Sequence, residues 1–72
     1  MKQITPKEAA DLRRRHNLTQ DEMSVVYGVS KKTVSFWERG VTAIPLAYYG
    51  WAAWLLDDKE GMKLAWEVSY GS

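Results

Sequence analysis

The sequence predicts an all-α fold, a compact bundle of four or five helices. Three observations predict it. Thr followed three residues later by Glu marks two helix starts, and Ser30 caps a third. Asn17, Gly28 and Gly40 stand where those helices would have to stop. The chain of 72 residues has no Cys, so four Trp, four Tyr and one Phe must supply much of the burial. Such side chains bury about 150–250 Å² each, enough for a small core.

The elements follow in order. Thr5 caps the first helix, Pro6 suits its first position, and Glu8 completes a capping box. That helix runs to about His16. Thr19 and Glu22 form a second capping box, with Leu18 and Met23 as its hydrophobic staple, and Gly28 ends this short helix. Ser30 caps the third helix, Lys31 to Arg39, which Gly40 closes. Pro45, at a first-turn position, opens a fourth helix to about Leu56. Residues 61–70 fit either of two elements. Leu64, Trp66, Val68 and Tyr70 alternate with polar or small residues, as in a strand. Leu64, Ala65 and Val68 also share one side of a helix that Asp57 or Asp58 would cap, and a fifth helix is the favoured reading.

The chain is expected to form one domain, residues 1–72, with its core in 5–56 and a C-terminal segment 57–72. Met1 and the short tail point to a whole protein. No apolar run approaches the roughly 20 residues that span a bilayer, and no apolar region follows Met1-Lys2 to make a signal peptide. A cytoplasmic protein without a membrane partner is therefore expected. The net charge of +1 conceals an asymmetry. Residues 1–40 carry eight basic and five acidic side chains, a net +3, while residues 41–72 carry two and four, a net −2. One face for a polyanion and another for something else would account for it.

The stretch from Gln20 to Arg39 reads as two short helices joined by a tight turn at Gly28-Val29-Ser30, a helix-turn-helix. Ser24 is small where the two helices would cross. Met23, Tyr27, Val29, Val34 and Trp37 would lock the second helix onto the first. Lys32, Ser35, Phe36 and Arg39 stand at i, i+3, i+4 and i+7, so they share the outward side, with Lys31 beside them. Two lysines at a helix N-terminus oppose the macrodipole, at about 0.3–1 kcal/mol each, unless an anion meets them.

Residues 5–56 resemble the XRE family of phage Cro and repressor-type DNA-binding domains. Leu18-Thr19-Gln20, Gly28-Val29-Ser30, Thr33-Val34-Ser35 and Trp37-Glu38-Arg39-Gly40 carry the resemblance. It implies a lambda-repressor-like bundle with the third helix in the major groove of double-stranded DNA. It places base readout at Lys31, Lys32 and Phe36. Phosphate contacts fall at Thr19, Gln20 and Arg39, and Ser35 joins them by its place on the same face. A structural ion pair falls on Arg13 and Glu38. Phe36 departs from the family, which usually has a polar reader there. The loop Val41–Ile44 lacks the basic residues that some members use, so no minor-groove readout is expected from it.

Helix four is apolar nearly all round, which a surface helix of a small monomer should not be. Tyr49 and Trp54, with Trp66 and Tyr70, are therefore expected to form a homodimer seam. Arg13-Arg14-Arg15 reads as one structural arginine and two solvated ones rather than a phosphate patch. His16 reads as a partner for a helix C-terminus. With one His and no Cys there is no basis for a metal site. No catalytic cluster, Gly-rich phosphate loop, cofactor site or small-molecule substrate site is visible, so an enzyme is not expected. The resemblance leads us to expect a repressor of phage, prophage or plasmid-like type, acting as a homodimer on an inverted repeat. A protein-binding module of the same fold, an antitoxin or adaptor, is the alternative.

Overall fold

Local capping chemistry places the start of four of the five helices found among the described residues. The computed structural model describes residues 3–71. Lys2, counted above among the basic residues, lies outside them, as do Met1 and Ser72, the ends of the expected domain. Five helices form among the described residues: α1 (Pro6–Arg15), α2 (Gln20–Tyr27), α3 (Lys31–Arg39), α4 (Leu46–Leu55) and α5 (Lys59–Tyr70). Both capping boxes are complete. Thr5 Oγ1 accepts from the Glu8 N–H at 3.1 Å while Glu8 Oε1 accepts from the Thr5 N–H at 2.8 Å. Thr19 and Glu22 repeat the pair at 3.1 and 2.8 Å. Ser30 Oγ accepts from the Thr33 N–H at 3.2 Å. Pro45 stands one place earlier than expected. Its ψ of 140° is extended, so it is the N-cap of α4 rather than its first residue.

Four of the helix ends share one device. Asn17, Gly28, Gly40 and Asp57 all have positive φ. After each, the next N–H reaches back five residues to a carbonyl that the helix would otherwise leave unpaired: Leu18 to Arg13, Val29 to Ser24, Val41 to Phe36 and Asp58 to Ala53, at 2.8–3.2 Å. Asn and Asp tolerate this left-handed backbone better than other non-glycine residues. Asp57 thus ends α4, and Asp58 alone caps α5, its Oδ1 accepting from the Gly61 N–H at 2.7 Å. Residues 61–70 are helical. The alternation is overridden because α5 packs lengthwise on α4, with Leu64, Ala65 and Val68 turned to the core.

The core is built by Leu12 of α1, Met23 and Tyr27 of α2, Val34 and Trp37 of α3, and Tyr49, Ala52 and Ala53 of α4. Tyr27 meets Trp37 edge-on, with centroids 5.1 Å apart, and Tyr48 lies 5.3 Å from the same indole. Burial pushes the Tyr27 phenol well above its ordinary pKa. Gly61 is buried where α5 crosses α4. A Cβ there would lie 3.0 Å from the Ala53 methyl and 3.3 Å from Leu12 Cδ1.

Two expectations are corrected here. Tyr49 is 1% exposed. It points into the core, where no second subunit could reach it, because α4 is covered by α1 and α5 on that side. Two arginines of the Arg13–Arg15 run are structural rather than one. Arg13 bonds Glu38, and Arg15 bonds Asp58 through Nε and Nη2, both at 3.0 Å.

Candidate nucleic-acid interface

The site begins with what holds α3. Glu38 lies near the end of that helix with its carboxylate nearly buried. Arg13 of α1 grips it with two bonds, Nε to Oε2 at 2.8 Å and Nη2 to Oε1 at 2.9 Å. Gln20, the first residue of α2, donates its amide to Glu38 Oε1 at 3.2 Å. Arg13 Nη1 also donates to the Leu18 carbonyl at 3.0 Å, in the turn between α1 and α2. Three helices are thus tied through one carboxylate. Burial would raise its pKa, but the bonds from Arg13 and Gln20 outweigh that and hold it below the usual carboxylate range.

With Val34 and Trp37 anchored inside, the opposite face of α3 looks outward. Lys31, Lys32 and Arg39 are exposed, and Ser35 and Phe36 are half-buried between them. Two of these cations lie against the Phe36 ring. Lys32 Nζ lies 5.5 Å from the Phe36 ring centroid, and Arg39 Cζ lies 5.4 Å from it. Both distances are within cation–π range, worth about 0.5–1 kcal/mol at an exposed site. Arg39 Nε donates to Ser35 Oγ at 3.1 Å, which fixes the guanidinium further. Lys31 Nζ stands 3.7 Å from Asp21 Oδ2, a loose pair across the turn of the motif. Asp21 had no local signal in the sequence. Only the crossing of α2 and α3 brings it opposite Lys31.

The α2 N-terminus adjoins this face. Thr19 is exposed, and its hydroxyl oxygen is engaged in the cap, leaving its proton free to donate. Gln20 has spent one amide proton on Glu38 and keeps the other. Lys31, Lys32, Ser35, Phe36 and Arg39 share one surface. Trp54, Trp66 and Tyr70 do not belong to it. They stand on α4 and α5, in a separate aromatic patch.

A family model described as helix-turn-helix matches residues 10–48, more than half of the chain. The chain belongs to this XRE-type helix-turn-helix family. Its members are DNA-binding regulators. No match is found among curated proteins or among solved structures. The family match begins inside α1 and ends in the first turn of α4, so it spans both clasped helices of the motif and the whole outward face of α3. Most of α4 and all of α5 lie beyond it.

The aromatic patch occupies that remainder. Trp51, Trp54, Trp66 and Tyr70 are 51%, 63%, 65% and 71% exposed. Trp51 and Trp54 lie 5.5 Å apart on α4, and Trp66 and Tyr70 lie 4.3 Å apart on α5. Between them runs a shallow groove floored by Gly50, Met62 and Ala65. Among the described residues no helix is long and apolar enough to cross a membrane, and no group of His, Asp and Glu is placed to hold a metal ion.

Proposed function

We propose that this helix-turn-helix regulator is a sequence-specific repressor that binds an inverted-repeat operator as a homodimer, with α3 in the major groove. The observation that carries the reading is the outward face of α3. It presents three cations and one aromatic ring on a helix fixed from behind by Arg13 and Glu38. Helix-turn-helix proteins set their second helix in the major groove, and its leading residues meet base edges. Lys31 and Lys32 take that role, with Phe36 between them and the end of the helix. Thr19, Gln20, Ser35 and Arg39 contact phosphates on either side. Such contacts fix register, while base contacts specify sequence. Occupying a promoter is sufficient for repression, and no chemistry is required.

The aromatic patch supports the dimer. Trp54, Trp66 and Tyr70 pack face to face with the same residues of a second copy, a self-complementary arrangement about a two-fold axis. Aromatic side chains are enriched at interface centres. Two copies of α3 then stand about 34–36 Å apart, one turn of DNA. The same patch would serve a heterologous protein in the adaptor reading.

Selection of bound sites from random duplex DNA tests the proposal, because it reports sequence, symmetry and spacing together. An inverted repeat with half-sites one turn apart is expected. Lys31→Ala and Lys32→Ala should each cost about 1–3 kcal/mol on the selected site and less on random DNA. Equal losses on both would demote the two lysines to phosphate contacts. Trp66→Glu should convert the dimer to monomer in sedimentation while leaving the circular dichroism spectrum intact. A wild-type monomer that captures no second copy on DNA would overturn the dimer.

A further inference from the structure

We propose that Phe36 is a specificity-determining residue that reads a pyrimidine 5-methyl group in the major groove. This rests on the reading of α3 as the helix that enters the groove. Phe36 belongs neither to the apolar core nor to the side chains packed on it. Core packing therefore does not account for a large aromatic at this position, and the half-buried ring occupies the middle of the charged outward face. Lys32 and Arg39 flank it at 5.5 and 5.4 Å. Ser35 pins Arg39 at 3.1 Å, so the ring is held among groups that are themselves held.

The chemistry of the groove edge decides what such a ring can meet. A phenyl ring has no donor or acceptor. Pressed against the oxygen and nitrogen atoms of most base edges, it strips their water and returns no hydrogen bond, which is costly. The 5-methyl group of a pyrimidine is the one apolar feature on that edge. Lys32 and Arg39 are separated by about 10 Å along the helix axis, roughly three base steps. The cations therefore reach guanine edges or phosphates on either side of the methylated base that the ring covers.

Two bases present this group, thymine and 5-methylcytosine. The experiment measures the affinity of this 72-residue chain for its selected duplex. Each thymidine in turn is replaced by deoxyuridine, and cytidine and 5-methylcytidine are then placed at any position that responds. Loss of one methyl contact should weaken binding about fourfold per half-site. Phe36→Ala should remove the difference between thymidine and deoxyuridine, and Phe36→Leu should keep part of it. Tighter binding of 5-methylcytidine than of cytidine supports readout of the methyl group from either base; a thymidine response without that gain assigns it to thymine. Equal wild-type affinity for thymidine and deoxyuridine at every position overturns the inference, as does a difference that survives in Phe36→Ala. Both outcomes leave DNA binding itself in place. Absence of salt-sensitive binding to any duplex would instead overturn the function on which the inference stands.

Discussion

Arg13 and Arg15 are two residues apart in the last turns of α1, so they leave it on opposite sides and hold different parts of the molecule. Arg13 grips Glu38 and fixes the helix that faces outward. Arg15 grips Asp58 and fixes the helix that carries half of the aromatic patch. The carboxylates differ in what else they do. Glu38 sits near the C-terminus of α3, where a negative charge opposes the helix dipole. Asp58 is the N-cap of α5 and also accepts from His16 Nε2 at 2.7 Å, while Glu60 extends the grip on Arg15 at 3.0 Å. One clasp orients a helix that starts at its own cap, Ser30. The other starts the helix that it docks.

That contrast can be broken most directly by truncating each carboxylate. Asp58→Ala leaves His16 without its anion, Arg15 with Glu60 alone, and α5 without its cap. A loss of about 2–4 kcal/mol is expected, a fall in melting temperature of about 8 °C or more for a domain of this size. Glu38→Ala should cost less by roughly the worth of a cap, about 1 kcal/mol. Thermal melts followed by circular dichroism decide it. An equal or larger loss from Glu38→Ala would mean that capping by Asp58 adds nothing.

Acid sharpens the same comparison. Burial alone would raise the pKa of Asp58, but bonds from Arg15, the Gly61 N–H and His16 bring it to about 2. Glu38 is also lowered. A depressed carboxylate stabilises the fold fully above its unfolded pKa, near 4, and that contribution vanishes as pH falls through the folded value. Stability should therefore decline between about pH 4 and pH 2, with Asp58 accounting for on the order of 2 kcal/mol. Denaturant titrations across this range should show a flatter acid limb for Asp58→Asn.

The smallest expected effect tests how closely the second clasp draws α5 onto α4. Ala favours a helix over Gly by about 1 kcal/mol. At Gly61 the added methyl meets Ala53 at 3.0 Å, Asp58 Oδ1 at 3.2 Å and Leu12 Cδ1 at 3.3 Å. Overpacking of this kind costs about 1–3 kcal/mol, so Gly61→Ala should be destabilising by about 1 kcal/mol net. A more stable variant would show that α5 can shift outward without loss.

The two clasps also divide what was legible in the sequence. Capping boxes at Thr5 and Thr19 and the glycine stops are local signals, and they located α1 to α3 closely. The Arg13–Glu38 pair came only through the family resemblance. Arg15 and Asp58 are 43 residues apart, and nothing in composition or spacing links them. Asp57 fits a cap equally well in the sequence, because Asp seldom announces a left-handed stop. Tyr49 fits an exterior seam in the sequence because α4 is apolar nearly all round. Such a helix has no periodicity to tell its inner face from its outer one. The outward face of α3 was legible for the opposite reason, since its polar and apolar residues separate cleanly on the wheel. Its internal pairings, Lys31 with Asp21 and Phe36 with Lys32 and Arg39, depend on rotamers and helix crossing.

The four indoles are unevenly wetted. Trp37 is inside, whereas Trp51, Trp54 and Trp66 stand largely in water. Native fluorescence will be dominated by solvated emitters, and its wavelength will shift little when the chain denatures. Covering the patch would move that emission to the blue with the fold unchanged. Intrinsic fluorescence in this protein is thus a gauge of association more than of folding.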